Sequence, residues 1–289
     1  MNIRYLTYPF SGVLIFVLVT VLAIFIVRKY QLHWRLFFIG AAGFILSQIF
    51  HVPFNTLVLN PLITNQIQPT IPRVAGFAIA GLLLGLSAGL FEEFTRYGLY
   101  RWWAKDARTW SRGVLLGTGW GGSEAILFAG IPILISYIVM LAVRGAEIDI
   151  NIPPEQIDAY WSIPWYLSFL GFVERAFALP IQISLSVLVM QVFARRQSRW
   201  LLFAIGWHTL VDWLAVFLLL YWSESEWSVY AIEGVAAILA IISLIIIFTL
   251  KQPQSETTPK LELLPEPLDF ATLPEPEETP DKLEESRYN

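Results

Sequence analysis

The chain has no cysteine and little charge. The first absence excludes disulfides, thiolate metal sites and a cysteine nucleophile. The second excludes an ordinary soluble domain. Of the 289 residues 15% are charged and 56% hydrophobic, and the mean hydropathy is +0.60, whereas soluble domains carry about 25% charged residues. No basic stripe marks a nucleic-acid-binding face, so nucleic acid is not an expected partner. The formal net charge of -4 hides a segregation, because acidic residues crowd the C-terminal end and basic residues crowd a few loops.

What remains is a series of apolar runs, each long enough to cross a bilayer. The pattern predicts an all-α, polytopic bundle of about seven transmembrane helices partnered by lipid. Spans are expected at about 10–27, 36–59, 73–103, 113–143, 164–193, 201–222 and 230–250. The segments 60–72 and 144–161 read as loops, the latter acidic and exposed. Trp161 and other tryptophans near span ends read as interface anchors. The seventh span, nearly uniform Ala, Ile and Leu, is expected to face lipid, with Glu233 at its interface. Residues 1–251 form the expected membrane domain. Residues 252–289, rich in Pro, Glu and Thr, are expected to be a disordered acidic tail. Only Arg4 precedes the first run and no small-residue cleavage site follows, so that run reads as a retained span.

Arg28, Lys29, Arg35, Arg101, Lys105, Arg108, Arg112, Arg195, Arg196 and Arg199 share one side of such a bundle, against Arg4, Arg73 and Arg144 on the other. Basic loops stay in the cytoplasm. The expected location is the plasma membrane, with the N-terminus outside and the C-terminus cytoplasmic.

The third span ends in Leu90-Phe91-Glu92-Glu93-Phe94-Thr95-Arg96-Tyr97. Ionisable groups at membrane depth are costly and face a bundle interior or a water-filled cavity. At 1.5 Å per helical residue, Glu92 and His208 lie about 13 Å beyond the nearest inner arginine, Glu124 about 18 Å, and Asp212 and Gln182 about 20 Å. Five polar groups on four spans therefore share a depth, while Glu174 and Arg175 fall higher. Glu92 with Arg96, Trp120 with Glu124, and His208 with Asp212 are each spaced i,i+4, on one helix face. Gly81, Gly85 and Gly89 on the third span and Gly113, Gly117 and Gly121 on the fourth form ridges of small residues. Such ridges let helices approach closely, and the expectation is that these two spans pack together, bringing Glu92 and Glu93 to Glu124. Taken singly, Glu92–Arg96 reads equally as a structural ion pair, His208–Asp212 as an interhelical hydrogen-bond pair, and Glu174–Arg175 as structural. His51, beside Pro53, reads as a packing or hydrogen-bonding residue. The coincidence of depth is what argues for a site. Two neighbouring carboxylates in different surroundings suit a base and an acid for hydrolysis.

With these residues in hand, the sequence resembles the YhfC-type family of membrane peptidases, related to the intramembrane proteases of the CAAX-prenyl-endopeptidase and PrsW kind. The resemblance runs to about Leu250 and rests on Glu92-Glu93-Phe94-Thr95-Arg96, Trp120-Gly121-Gly122-Ser123-Glu124 and His208-Thr209-Leu210-Val211-Asp212, with Gln48-x-x-His51-x-Pro53 and Glu174-Arg175-x-x-Ala178-Leu179 as further features. It implies hydrolysis of a peptide bond of a membrane protein or peptide. Glu92 would activate the water, Glu93 and Arg96 would shape its surroundings, and Glu124, His208 and Asp212 would hold the water, the oxyanion or a divalent metal such as zinc. The family pattern commonly has histidine where Trp120 and Gln182 stand, so the implied metal site is thin here. Two other functions share the same residues, namely a catalytically inactive scaffold and a proton-coupled transporter.

Overall fold

The structure, a computed structural model, describes residues 3–145, 152–223, 225 and 227–251. Eight helical elements follow one another, and there is no strand among the described residues. Seven are long and apolar enough to cross a bilayer: α1 (Arg4–Tyr30), α2 (Arg35–Thr70), α3 (Arg73–Trp103), α4 (Trp110–Arg144), α6 (Trp165–Ala194), α7 (Arg199–Tyr221) and α8 (Ser228–Thr249). The short α5 (Pro154–Ser162) lies between α4 and α6. The protein is a membrane-embedded helical bundle. The tail expected beyond residue 251 lies outside the described residues.

Of the two segments read as loops, residues 60–70 and 154–161 are helical, and 146–151 lie outside the described residues. Residues 60–70 continue α2, through wide π-type turns at Asn55–Leu59 and Ile63–Ile67. A third such turn, Ile126–Gly130, interrupts α4. Each of these three lies just before a proline, namely Pro61, Pro69 and Pro132, while a fourth, Leu99–Trp103 at the end of α3, has none after it. A proline lacks the amide donor and its ring crowds the carbonyl four residues earlier, so the preceding turn widens without ending the helix. Pro61 and Pro69 lie in the segment expected to be a loop, whereas Pro132 lies inside the expected fourth span. In the second supposed loop, α5 docks against α1. The Tyr8 hydroxyl donates to the Tyr160 carbonyl at 2.7 Å, and Trp161, buried rather than interfacial, stacks 5.0 Å from Tyr5 and lies under the Arg144 guanidinium at 5.3 Å.

The glycine ridges are used, but not with each other. On α3 they face α7. A β-carbon on Gly85 would come within 2.7 Å of the Thr209 carbonyl oxygen, and one on Gly89 within 3.0 Å of that of Ile205. On α4 they face α6, where a β-carbon on Gly117 would meet the Ile183 α-carbon at 2.8 Å. The expected pairing of the third and fourth spans is therefore wrong: α3 packs on α7, and α4 is held between α2 and α6. The other side of α4 carries the tightest approach, where a β-carbon on Gly119 would lie 1.9 Å from the Phe37 carbonyl oxygen. Small-residue spacing marks a face for close approach but carries no address for the partner.

α8 is only partly lipid-facing. It buries Leu239, Ala240, Ser243 and Ile247, leaves Ile238, Ile241, Ile245 and Phe248 exposed, and packs along α6. The Trp110 indole donates to the Ile247 carbonyl at 2.7 Å and pins its end. Outside the spans, Asp106 is gripped by Arg35 and lies 3.4 Å from Arg112. The hydrogen bond from Arg35 holds its carboxyl below the usual aspartate range.

Gly119→Ala should therefore lower thermal stability in detergent, at a cost of about 1–3 kcal/mol for overpacking. Gly206→Ala, where nothing lies within 4 Å of the new carbon, should leave stability unchanged or raise it through better helix propensity. Equal melting temperatures for the two variants would refute the backbone contact of α2 and α4.

Candidate active site

Four helices deliver the polar groups. Glu92, Glu93 and Arg96 come from α3, Trp120 and Glu124 from α4, Arg175 and Gln182 from α6, and His208 and Asp212 from α7. The close α3–α7 crossing brings His208 onto the glutamates, because a glycine at position 89 leaves room for α7 one turn before Glu93.

The ion pair on α3 is not the i,i+4 one. Arg96 pairs with both oxygens of Glu93, at i,i+3, and both side chains are fully buried. The other end of the guanidinium donates to Gln182 Oε1 at 2.7 Å, and its plane lies 4.1 Å from the Trp120 ring centre, a cation–π contact. Glu93 also takes a 2.7 Å hydrogen bond from His208 Nδ1. Glu92 is held differently. Its two oxygens accept from Gln48 Nε2 at 3.1 Å and Trp120 Nε1 at 3.2 Å, both neutral donors. His208 Nε2 stands 4.0 Å from Glu92 and 3.6 Å from Asp212. Those gaps exceed a direct hydrogen bond and suit a bridging water.

Glu124 belongs to a second cluster. Arg175 Nη1 donates to one of its oxygens at 3.0 Å and Gln182 Nε2 to the other at 2.6 Å. Gln182 thus joins the two clusters, with its amide oxygen on Arg96 and its nitrogen on Glu124. Depth counting placed Arg175 too high to reach the site, and reading it with its neighbour Glu174 hid the more useful spacing. Arg175 and Gln182 are seven apart, two full turns, and share a helix face. Gln48 was noted only as a family feature, and its polarity inside an apolar span was the available sign. His51 is a hydrogen-bonding residue. It meets Asn55 at 2.9 Å, and Ser87 donates to the same asparagine at 2.7 Å.

A cavity of about 380 Å³ opens between α6, α7 and α8, and Glu124, Arg175, Gln182, His208 and Asp212 line it. Glu92 does not line it but sits behind His208, with 8% of its side chain exposed. The donor set can be tested against a metal. Two ligand atoms on a tetrahedral zinc are about 3.4 Å apart at metal–ligand distances near 2.1 Å. The His208–Asp212 gap matches that spacing, and the His208–Glu92 gap is about half an ångström wide of it. The His208 Nδ1–Glu93 bond is the support that metal-ligating imidazoles usually have. No three His, Asp or Glu among the described residues are drawn together as a ready cluster, and Glu124 has both oxygens engaged. One imidazole and one carboxylate fit, with Glu92 alongside.

With this geometry established, comparison with known sequences is informative. Residues 13–250 match the family described as YhfC intramembrane metalloprotease. The chain belongs to that family. A similar protein is the "Uncharacterized membrane protein YhfC" of Bacillus subtilis (strain 168), 30% identical over 242 residues, covering 81% of this chain and 91% of that protein. No solved structure matches. The family's name brings a metal and a proteolytic reaction into consideration. The matched span contains every site residue named above.

Arg96→Gln should be severely destabilising, since removing one partner of a buried ion pair leaves an uncompensated charge and costs about 3–5 kcal/mol. The double variant Glu93→Gln with Arg96→Gln should recover a substantial part of the loss in a thermal-unfolding cycle. Additive losses would show that the two side chains are not energetically coupled.

Proposed function

We propose that this protein is an intramembrane hydrolase that cuts a peptide bond of a membrane protein or peptide with a water activated by Glu92. The observation that carries this reading is the contrast between adjacent glutamates. Glu93 is neutralised by Arg96 and bound to His208, whereas Glu92 meets only an amide and an indole. Glu92 is the carboxylate left to take a proton. A water between Glu92 and His208 Nε2 would touch both across their 4.0 Å separation. Glu92 would accept a proton from it as the oxygen adds to the carbonyl carbon. The same proton would then go to the leaving nitrogen as the C–N bond breaks. His208, oriented by Glu93, presents Nε2 to the space where the oxyanion forms, with Asp212 beside it. Gln182 and Arg175 keep Glu124 in place at the cavity wall. Where a divalent cation is bound, His208 and Asp212 would hold it with Glu92 alongside, and it would polarise the scissile carbonyl. The order of the three motifs, similar to that of CAAX-prenyl-endopeptidase and PrsW-type proteases, supports the reading.

Glu92→Gln keeps the shape and removes the base, so cleavage of a membrane substrate in proteoliposomes should fall about 100- to 10,000-fold. Retention of the wild-type rate would remove Glu92 from the role. If wild type and Glu92→Gln are both inactive on every substrate offered while the wild type still binds a partner, the inactive-scaffold reading is favoured.

We further infer that the N-terminus lies outside and the C-terminus in the cytoplasm, in the plasma membrane, because the basic residues gather on the α1–α2, α3–α4 and α6–α7 connections. Reporter fusions after Asn151 and Arg108 should read outside and inside respectively, and the reverse pattern would invert the topology.

A further inference from the structure

The cavity beside His208 is longer than the proposed reaction needs. Along α7 it runs from His208 to Leu219, about 16 Å. Glu174, Arg175 and Glu233 line it as well, and Glu174 is eight residues, over two turns, from Gln182 along α6. The wall between is apolar, with Ala215 and Val216 on α7 and Leu239 on α8.

Three observations show that this is a place for a ligand and say what kind. The first concerns access. α8 packs along α6 and touches α7 only sparingly, and Leu219, a lining residue, is 60% exposed. The cavity therefore opens sideways, between α7 and α8, to the surroundings of the bundle. The second concerns His208. Its side chain is 4% exposed, it faces the cavity, and its Nε2 makes no hydrogen bond, the nearest acceptors standing at 3.6 and 4.0 Å. The third concerns charge. Arg175 is bonded to Glu174 and Glu124 and makes no hydrogen bond to the Oε2 of Glu233. The Oε2 of Glu233 is buried and has no hydrogen-bond partner. A buried carboxylate oxygen without a donor is costly, and an ammonium or guanidinium group arriving from outside would satisfy it.

We propose that the cavity takes an apolar membrane-spanning peptide segment, entering between α7 and α8, with a basic side chain of that segment against Glu233 and Glu174. This rests on the hydrolase reading and names its substrate class. At about 3.3 Å per extended residue, the basic side chain lies about five residues from the bond that is cut.

The test uses the full chain in phosphatidylglycerol nanodiscs, which carry no amine headgroup. The probes are 20-residue Leu/Ala peptides bearing a photo-crosslinker and either Lys or Gln at one position near an end. Crosslink yield against peptide concentration gives an apparent Kd, and cleavage is read from the same samples. The wild type should bind the Lys peptide about tenfold more tightly, the order expected of one desolvated charge-assisted hydrogen bond. Glu233→Gln should abolish the preference, Glu233→Asp should keep part of it, and Glu174→Gln should weaken it less, because Glu174 already has Arg175. Variants are compared only after their thermal stability matches the wild type. The proposal is overturned if the wild type shows no Lys preference, whether both peptides bind or neither does, or if the preference survives Glu233→Gln. It is also overturned if added phosphatidylethanolamine displaces the Lys peptide at equal mole fraction, which would make the occupant a lipid amine. Lys-selective binding without cleavage counts against the hydrolase reading alone. Cleavage without Lys selectivity counts against this proposal alone.

Discussion

The fully buried Glu93–Arg96 pair is the interaction on which the rest of the site depends. A charge taken out of water is tolerated only when it is paired and its remaining hydrogen-bonding positions are filled. Here the remaining positions recruit one residue from each of three neighbouring helices, with the Arg96 Nε left without a hydrogen-bond partner among the described residues. His208 from α7 fills the carboxylate's other acceptor position, Gln182 from α6 fills the far side of the guanidinium, and the Trp120 ring from α4 covers its face. The pair therefore fixes where three other helices must stand. It also makes its neighbour different. Glu92 is left with neutral donors, Gln48 and Trp120, because the Arg96 guanidinium is committed to Glu93 and Gln182. One charge match thus gives two glutamates, adjacent in sequence, opposite parts to play.

The glycines make that match possible. Without side chains at Gly81, Gly85 and Gly89, α7 approaches the α3 backbone closely enough for an imidazole to reach Glu93. On α4, Gly117 and Gly119 face opposite neighbours, so that helix sits between α6 and α2 with almost no side-chain padding on either side. Packing of this kind, through small residues and interhelical hydrogen bonds, is what association in lipid favours.

Much of this was legible in the sequence. Apolar run length marked the seven spans, and depth counting from the basic loops brought Glu92, Glu124, Gln182, His208 and Asp212 to one level. What was not legible has physical reasons. Helical spacing says which residues share a face but not which helix that face meets, so the third span was matched to the fourth instead of the sixth. Glu92 and Arg96 are correctly spaced to pair, yet Arg96 chose Glu93, because three-residue and four-residue spacings are nearly equivalent on a helix and the choice is made by His208 and Trp120 on other helices. Prolines at 61 and 69 suggested a loop, but a wide turn absorbs each. Arg175 was misplaced because depth along an axis ignores the reach of a long side chain.

The grip of α6 on Glu124 has a mechanical meaning. Two donors two turns apart on α6, Arg175 and Gln182, each hold one oxygen of the same carboxylate. A slide of α6 along its own axis would disturb both bonds at once, so Glu124 acts as a detent that sets the register of α6 against α4. Gln182 passes the same setting on to Arg96. The cavity wall made by α6 is consequently fixed in height. Any widening of the space beside His208 falls to α8, since α7 is held to α3 by the His208–Glu93 bond and by Trp213, whose indole donates to the Ala78 carbonyl at 3.0 Å.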